Sequence, residues 1–143
     1  MAKTLDDYKS EKRSLENQIS ARKSKNKKIS GEISRLQTAY DKLGKIKKEN
    51  FDNADKVKTN IKLNKVAGNV AWRGKYKDQF DNAIKDRAVP SAKDFYESID
   101  EIQDEIGTAL SRKKGEYDTG SSILNGLNRS WNNVVGIIRN WVN

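Results

Sequence analysis

The 143-residue chain contains no cysteine and no histidine. Those two absences exclude disulfides, Cys/His zinc sites, Ser-His-Asp and Cys-His nucleophile systems and histidine pH sensing. An enzyme would have to work with carboxylates, Lys, Tyr or Ser alone, and no convergent catalytic set of these stands out. Proline occurs once, at Pro90, so no proline breaks a helix in the first 89 residues. Long apolar runs are missing as well. The longest near-apolar stretch, Val134-Val135-Gly136-Ile137-Ile138, is far too short to span a bilayer. Met1 to Tyr8 has no apolar segment behind Lys3, so it does not read as a signal peptide, and the expected location is the cytoplasm.

Charge and periodicity are what the chain does have. Hydrophobic residues make up 34% and charged residues 34%, with a mean hydropathy of −0.95. That is lean for a compact core and suits long amphipathic helices in one domain. Counting by three and four from Leu5 gives Tyr8, Lys12, Leu15, Ile19, Arg22, Asn26, Ile29, Ile33, Leu36, Tyr40, Leu43, Lys47, Asn50, Ala54, Val57 and Ile61. Eleven of these positions are large and apolar, one is Ala and five are polar. An unslipped heptad of this length predicts one helix over about residues 5–67, roughly 95 Å long at about 1.5 Å per residue. Its apolar stripe, at roughly 60–120 Å² per large side chain, far exceeds what a soluble monomer leaves exposed, so something must cover it.

Between Val66 and Phe80 the heptad stops, and two glycines with Asn69 mark a turn over 68–75. Gly74 can take a positive φ, and Trp72 can plug the open end of a helical hairpin. A return arm over about 76–118 follows, with Tyr76, Phe80, Ala83 and Ile84 at helical spacing. Pro90 interrupts the arm, and Ser91 with Asp94 reads as a helix restart with an N-cap. Beyond it Phe95, Ile99, Ile102, Ile106, Ala109 or Leu110, and Tyr117 form the second seam. Acidic Asp94–Glu105 should then fold back beside Lys42, Lys45, Lys47 and Lys48, setting antiparallel register. Asp118 to Ser122 reads as a hinge, and Leu124, Leu127, Trp131, Val134, Ile138 and Trp141 as an extra amphipathic helix over 121–143. That helix either folds back over the hairpin or continues along the uncovered N-terminal stretch, whose gap its length of roughly 30 Å fits, or docks a partner, or lies on a membrane surface; the first reading is preferred, and the membrane is the weakest because the polar face is rich in Asn rather than Lys. The expected fold is therefore all-α: an elongated antiparallel helical hairpin over 5–118 plus the C-terminal helix.

Arg22 and Asn26 sit together in the first seam among Lys23, Lys25, Lys27 and Lys28. They read either as a phosphate-binding patch or as a weakly packed stretch in which a buried Asn fixes register. The second is favoured, because no aromatic residue is interleaved there.

A long heptad helix, Trp72-Arg73-Gly74 at a turn, Phe80 six residues on and an amphipathic return arm together resemble the WXG superfamily of type VII secretion. The Leu36-Gln37-Thr38-Ala39-Tyr40 and Tyr96-Glu97-Ser98-Ile99-Asp100-Glu101-Ile102 stretches look most like its YwqH-like branch in Firmicutes. The resemblance spans about residues 5–118. It implies a small helical partner that binds the helical N-terminal domain of an LXG toxin and helps present it to the secretion machine. A second small WXG-like protein in the complex, and export with the cargo by a route needing no signal peptide, are further implications. Relatives carry an aromatic-x-x-x-acidic signal, matched here by Tyr96 with Asp100 and alternatively by Phe51 with Asp55.

Around residues 39–51 the flanks of the heptad turn apolar or small, which suits two neighbours rather than one. The expected partner interface is Ala39, Tyr40, Leu43, Ile46 and Phe51 with Ile99, Ile102 and Ile106. No cofactor, metal or small-molecule substrate is expected. The competing reading is a basic coiled-coil nucleic-acid binder, suggested by a net charge of +9 and a pI of 9.6. A membrane partner is disfavoured.

Overall fold

The computed structural model describes residues 2–66, 82, 86–87 and 89–143. Two helices, α1 (Leu5–Val66) and α2 (Val89–Val142), pack against each other as a helical hairpin, and the described residues contain no strand. The expected turn at Trp72 and Gly74 and the start of the return arm, including Tyr76, Phe80, Ala83 and Ile84, lie outside the described residues. So do the side chains of seam positions Ala54, Val57 and Ile61.

Local chemistry accounts for both helix starts. Thr4 caps α1: its Oγ1 accepts from Asp7 N at 3.2 Å, and Asp7 Oδ2 accepts from Thr4 N at 2.7 Å. This reciprocal capping box satisfies two donors that a helix start leaves without partners, and Asp6 and Asp7 complement the helix dipole. α2 begins at Val89, which puts Pro90 in the first turn, where its missing N–H costs nothing. Ser91 therefore sits inside the first turn rather than ahead of it, which corrects its assignment as the N-cap. At the other end Arg139 lies in the last turn, where a cation suits the carbonyl ends.

Nor does the hinge at Asp118 to Ser122 exist; α2 runs through it without a break. Gly120 and the serines there are helical residues, and 121–143 is the continuation of the return arm. A glycine costs a helix interior only about 0.5–1 kcal/mol, an amount that side-chain burial on either side easily outweighs.

The chain divides into two compact units, Met1–Leu36 with Ala109–Asn143, and Gln37–Thr108. In the first, α1 and α2 run antiparallel. The rings of Tyr8 and Trp141 lie 5.7 Å apart, Trp131 Nε1 donates to Glu16 at 3.2 Å, and Lys113 Nζ meets Glu32 at 2.9 Å. Leu15, Ile29, Leu110 and Val134 form its core. In the second, also antiparallel, Gln103 Nε2 donates to the Tyr40 carbonyl at 3.4 Å, Lys47 pairs with Asp100, and Asn50 Nδ2 donates to the Ala92 carbonyl at 3.2 Å. The Lys47–Asp100 pair realises the expected match of the acidic return arm with the lysines of α1. Among the described residues of this unit, Ile99 is the buried apolar one.

Every seam position of α1 from Leu5 to Asn50 is buried or half-buried. The seam of α2 runs through Ala92, Tyr96, Ile99, Gln103, Ile106, Leu110, Lys113, Tyr117, Gly120, Leu124, Leu127, Trp131, Val134, Ile138 and Trp141; it keeps the expected Ile99, Ile106, Leu110 and Tyr117 and every expected position from Leu124 to Trp141, and departs from expectation at Tyr96 and Gln103. Phe95 and Ile102, expected inside, are 52% and 48% exposed. They lie one position before seam residues Tyr96 and Gln103, on the flank.

Candidate functional site

The residues expected to hold a partner fall into two sets, both within the Gln37–Thr108 unit. Tyr40, Leu43, Ile99 and Ile106 face inward. The Tyr40 ring comes so close to Gly107 that a Cβ there would stand 3.3 Å from its Cε2. The same closeness recurs at Gly44, where a Cβ would stand 3.1 Å from Gln103 Nε2. Both glycines let the two backbones approach, so part of the expected docking surface is used by the hairpin itself. Ala39 is half-buried, whereas Ile46 and Phe51 remain 43% and 62% exposed.

Heptad geometry sorts the exposed members. In an antiparallel pair, positions just before the first seam residue of each heptad face their counterparts on the other helix, and positions just after the second do likewise. Ala39 and Ile46 of α1 and Phe95 and Ile102 of α2 are of the first kind, so they share one flank. Phe51 is of the second kind and lies on the opposite flank. Phe95 was missed as a surface residue; continuing the frame from Ala92 through Gln103 and Lys113 identifies it.

The two aromatic-x-x-x-acidic matches meet each other. The rings of Phe51 and Tyr96 lie 6.3 Å apart, and Lys47 Nζ sits 5.0 Å from the Tyr96 ring centroid while also pairing with Asp100. One lysine of α1 thus bridges the Tyr96–Asp100 pair, and its bond to Asp100 raises the Lys47 ammonium above its ordinary range. Phe51 and Asp55 are both exposed.

The Met1–Leu36 with Ala109–Asn143 unit carries a different arrangement. Asn26 is buried and accepts a 3.0 Å bond from Arg22 Nε, so the polar pair is a layer of the seam. The surrounding Lys23, Lys25, Lys27 and Lys28 are exposed. Near Trp131 lies a cavity of about 380 Å³ lined by Glu16, Ile19, Ser20, Lys23, Asn128 and Trp131. The sequence places 15 basic and 7 acidic residues in this unit, a net of +8, against 14 and 13 in the other, a net of +1.

The Glu32–Lys113 bond holds the Glu32 carboxyl below its ordinary range and the Lys113 ammonium above its own. Among the described residues no cluster of three or more acidic side chains is arranged to hold a metal ion, and no helix is long and apolar enough to cross a membrane. No protein-family model, no curated protein and no solved structure matches the chain.

Proposed function

We propose that this protein is a non-enzymatic helical adaptor, which binds the helical N-terminal domain of an LXG toxin and helps present it to a type VII secretion system. The observation that carries the reading is the apolar flank left after the hairpin has closed. Ile46, Phe95 and Ile102 are large, exposed and on one side of a two-helix unit, beside half-buried Ala39. A third helix laid along that flank would bury them, and each large apolar side chain so covered contributes about 1.5–3 kcal/mol. The resemblance to the WXG superfamily supplies the identity of that helix, with the Tyr96–Asp100 or the more exposed Phe51–Asp55 pair as its secretion signal.

Ile46→Glu together with Ile102→Glu tests the reading, since neither side chain belongs to the seam. Co-purification with the helical N-terminal domain of the cognate LXG toxin should be lost while helicity by circular dichroism is unchanged. Retained co-purification refutes it.

A second reading, a nucleic-acid binder, draws on the net +8 of the Met1–Leu36 with Ala109–Asn143 unit. Phosphate binding weakens steeply as salt rises, whereas apolar helix docking responds little. Affinity for random duplex DNA at two salt concentrations separates the two.

A further inference from the structure

The cavity beside Trp131 lies at the edge of the seam, bounded by seam residues Ile19 and Trp131, and away from the flank just described. Ile19 and Trp131 give it an apolar lining, and Ser20, Lys23, Asn128 and Glu16 complete it. At about 380 Å³ it is an open depression on the surface, with room for one large side chain. Its polar members are unequal. Glu16 is engaged twice, by Trp131 Nε1 at 3.2 Å and by Lys12 Nζ at 3.5 Å. Lys23 is exposed and pairs with no carboxylate among the described residues. Arg13 and Lys27, on the same flank of α1, are also exposed and without a carboxylate partner among the described residues. Apolar lining under unpaired cations defines the complement: an apolar side chain with carboxylates beside it.

We infer that this cavity is a docking site for an acidic amphipathic helix of a partner protein, which inserts one large apolar or aromatic side chain between Ile19 and Trp131 and pairs a carboxylate with Lys23. Charge selects this occupant. A second copy of the chain would bring another unit of net +8 against the first, and like charges oppose that association. A polyanion without apolar groups would engage the cations and leave the cavity unfilled. Trp is among the residues that most often dominate binding energy at protein interfaces, in pockets ringed by polar groups. The inference rests on the proposed adaptor role only in that the protein works by binding helices, and it concerns a different unit, so the two fail separately.

The probe is a displayed library of helical peptides with a fixed Leu seam and randomised flanks, selected on the full chain. Selected peptides should carry one large apolar residue flanked by Glu or Asp. Binding should shift the Trp131 indole N–H resonance, which is identified by its loss in Trp131→Phe. Lys23→Glu should weaken the selected peptides at least ten-fold, Ser20→Trp should block them without changing charge, and Lys23→Arg should retain them. The inference is overturned if selection yields no binder, if the winners are neutral or basic, or if Lys23→Glu and Ser20→Trp leave affinity unchanged. It is overturned in favour of a bilayer if vesicles of anionic phosphatidylglycerol, and no peptide, move the Trp131 signal.

Discussion

Gly120 of α2 lies against Asn26 of α1 so closely that a methyl group on Gly120 would overlap the Asn26 side-chain oxygen and the Arg22 guanidinium. The contact explains two oddities of the sequence together: a glycine in the middle of a helix, and a polar pair in the middle of a hydrophobic seam. Asn and Arg side chains fill the room that a missing side chain leaves, and they bond to each other there.

Gly120→Ala should therefore destabilise the protein by about 1–3 kcal/mol, the usual cost of adding volume to a filled space. Gly115→Ala and Gly126→Ala meet nothing within 4 Å and should instead stabilise by about 0.5–1 kcal/mol. Thermal melts followed by circular dichroism decide it. Equal effects at the three glycines would show that Gly120 has no special packing role.

Ile99 and Ile102 are three residues apart and should behave oppositely. Ile99, at 5% exposure, should cost about 2–5 kcal/mol when cut to Ala. Ile102, at 48%, should change stability by less than about 0.5 kcal/mol. Guanidinium unfolding of both variants measures the difference, and similar losses would put Ile102 back in the seam.

Acid should loosen the Met1–Leu36 with Ala109–Asn143 unit through two carboxylates. Thr4 holds Asp7 below its ordinary range through its backbone N–H, and Lys113 holds Glu32 below its own. A carboxyl whose pKa is lower folded than unfolded contributes stability above its unfolded value, near 4, and loses it as pH falls through the folded value. Denaturant midpoints should fall between about pH 5 and pH 3, and Glu32→Gln should flatten part of that slope. An unchanged slope would show that the Glu32–Lys113 bond carries no stability.

The bridge from Lys47 to Tyr96 and Asp100 should be salt-sensitive. Lys47→Met removes both the ion pair and the cation–ring contact. It should lower the melting temperature at low ionic strength, with the deficit shrinking at high salt as screening weakens the lost interaction. A deficit independent of salt would assign the role of Lys47 to its hydrocarbon stem.

Much of this molecule was legible before any coordinate. The α1 frame from Leu5 to Asn50 matches the buried stripe position by position, because side-chain direction in a straight helix depends only on sequence spacing. Thr4-x-x-Asp7 carries the spacing of a capping box, a signal as local as the heptad itself. In α2 apolar identity and spacing disagree at two positions: Phe95 and Ile102 look more like seam residues than Tyr96 and Gln103 do, yet spacing decides. The same disagreement runs through the candidate partner face, since Ile99 and Tyr40 are consumed by the hairpin while Phe95 is left outside it.

The sequence alone determined that two amphipathic helices must cover one another, since spacing, the single proline and the lean apolar content leave an uncovered stripe no other refuge. Which residues form the inner stripe of α2, and whether Gly120 bends the helix or seats a neighbour, was decided only by tertiary contact. A glycine's local preference amounts to about 1 kcal/mol, and a neighbouring helix that offers Arg22 and Asn26 to the same spot can reverse it.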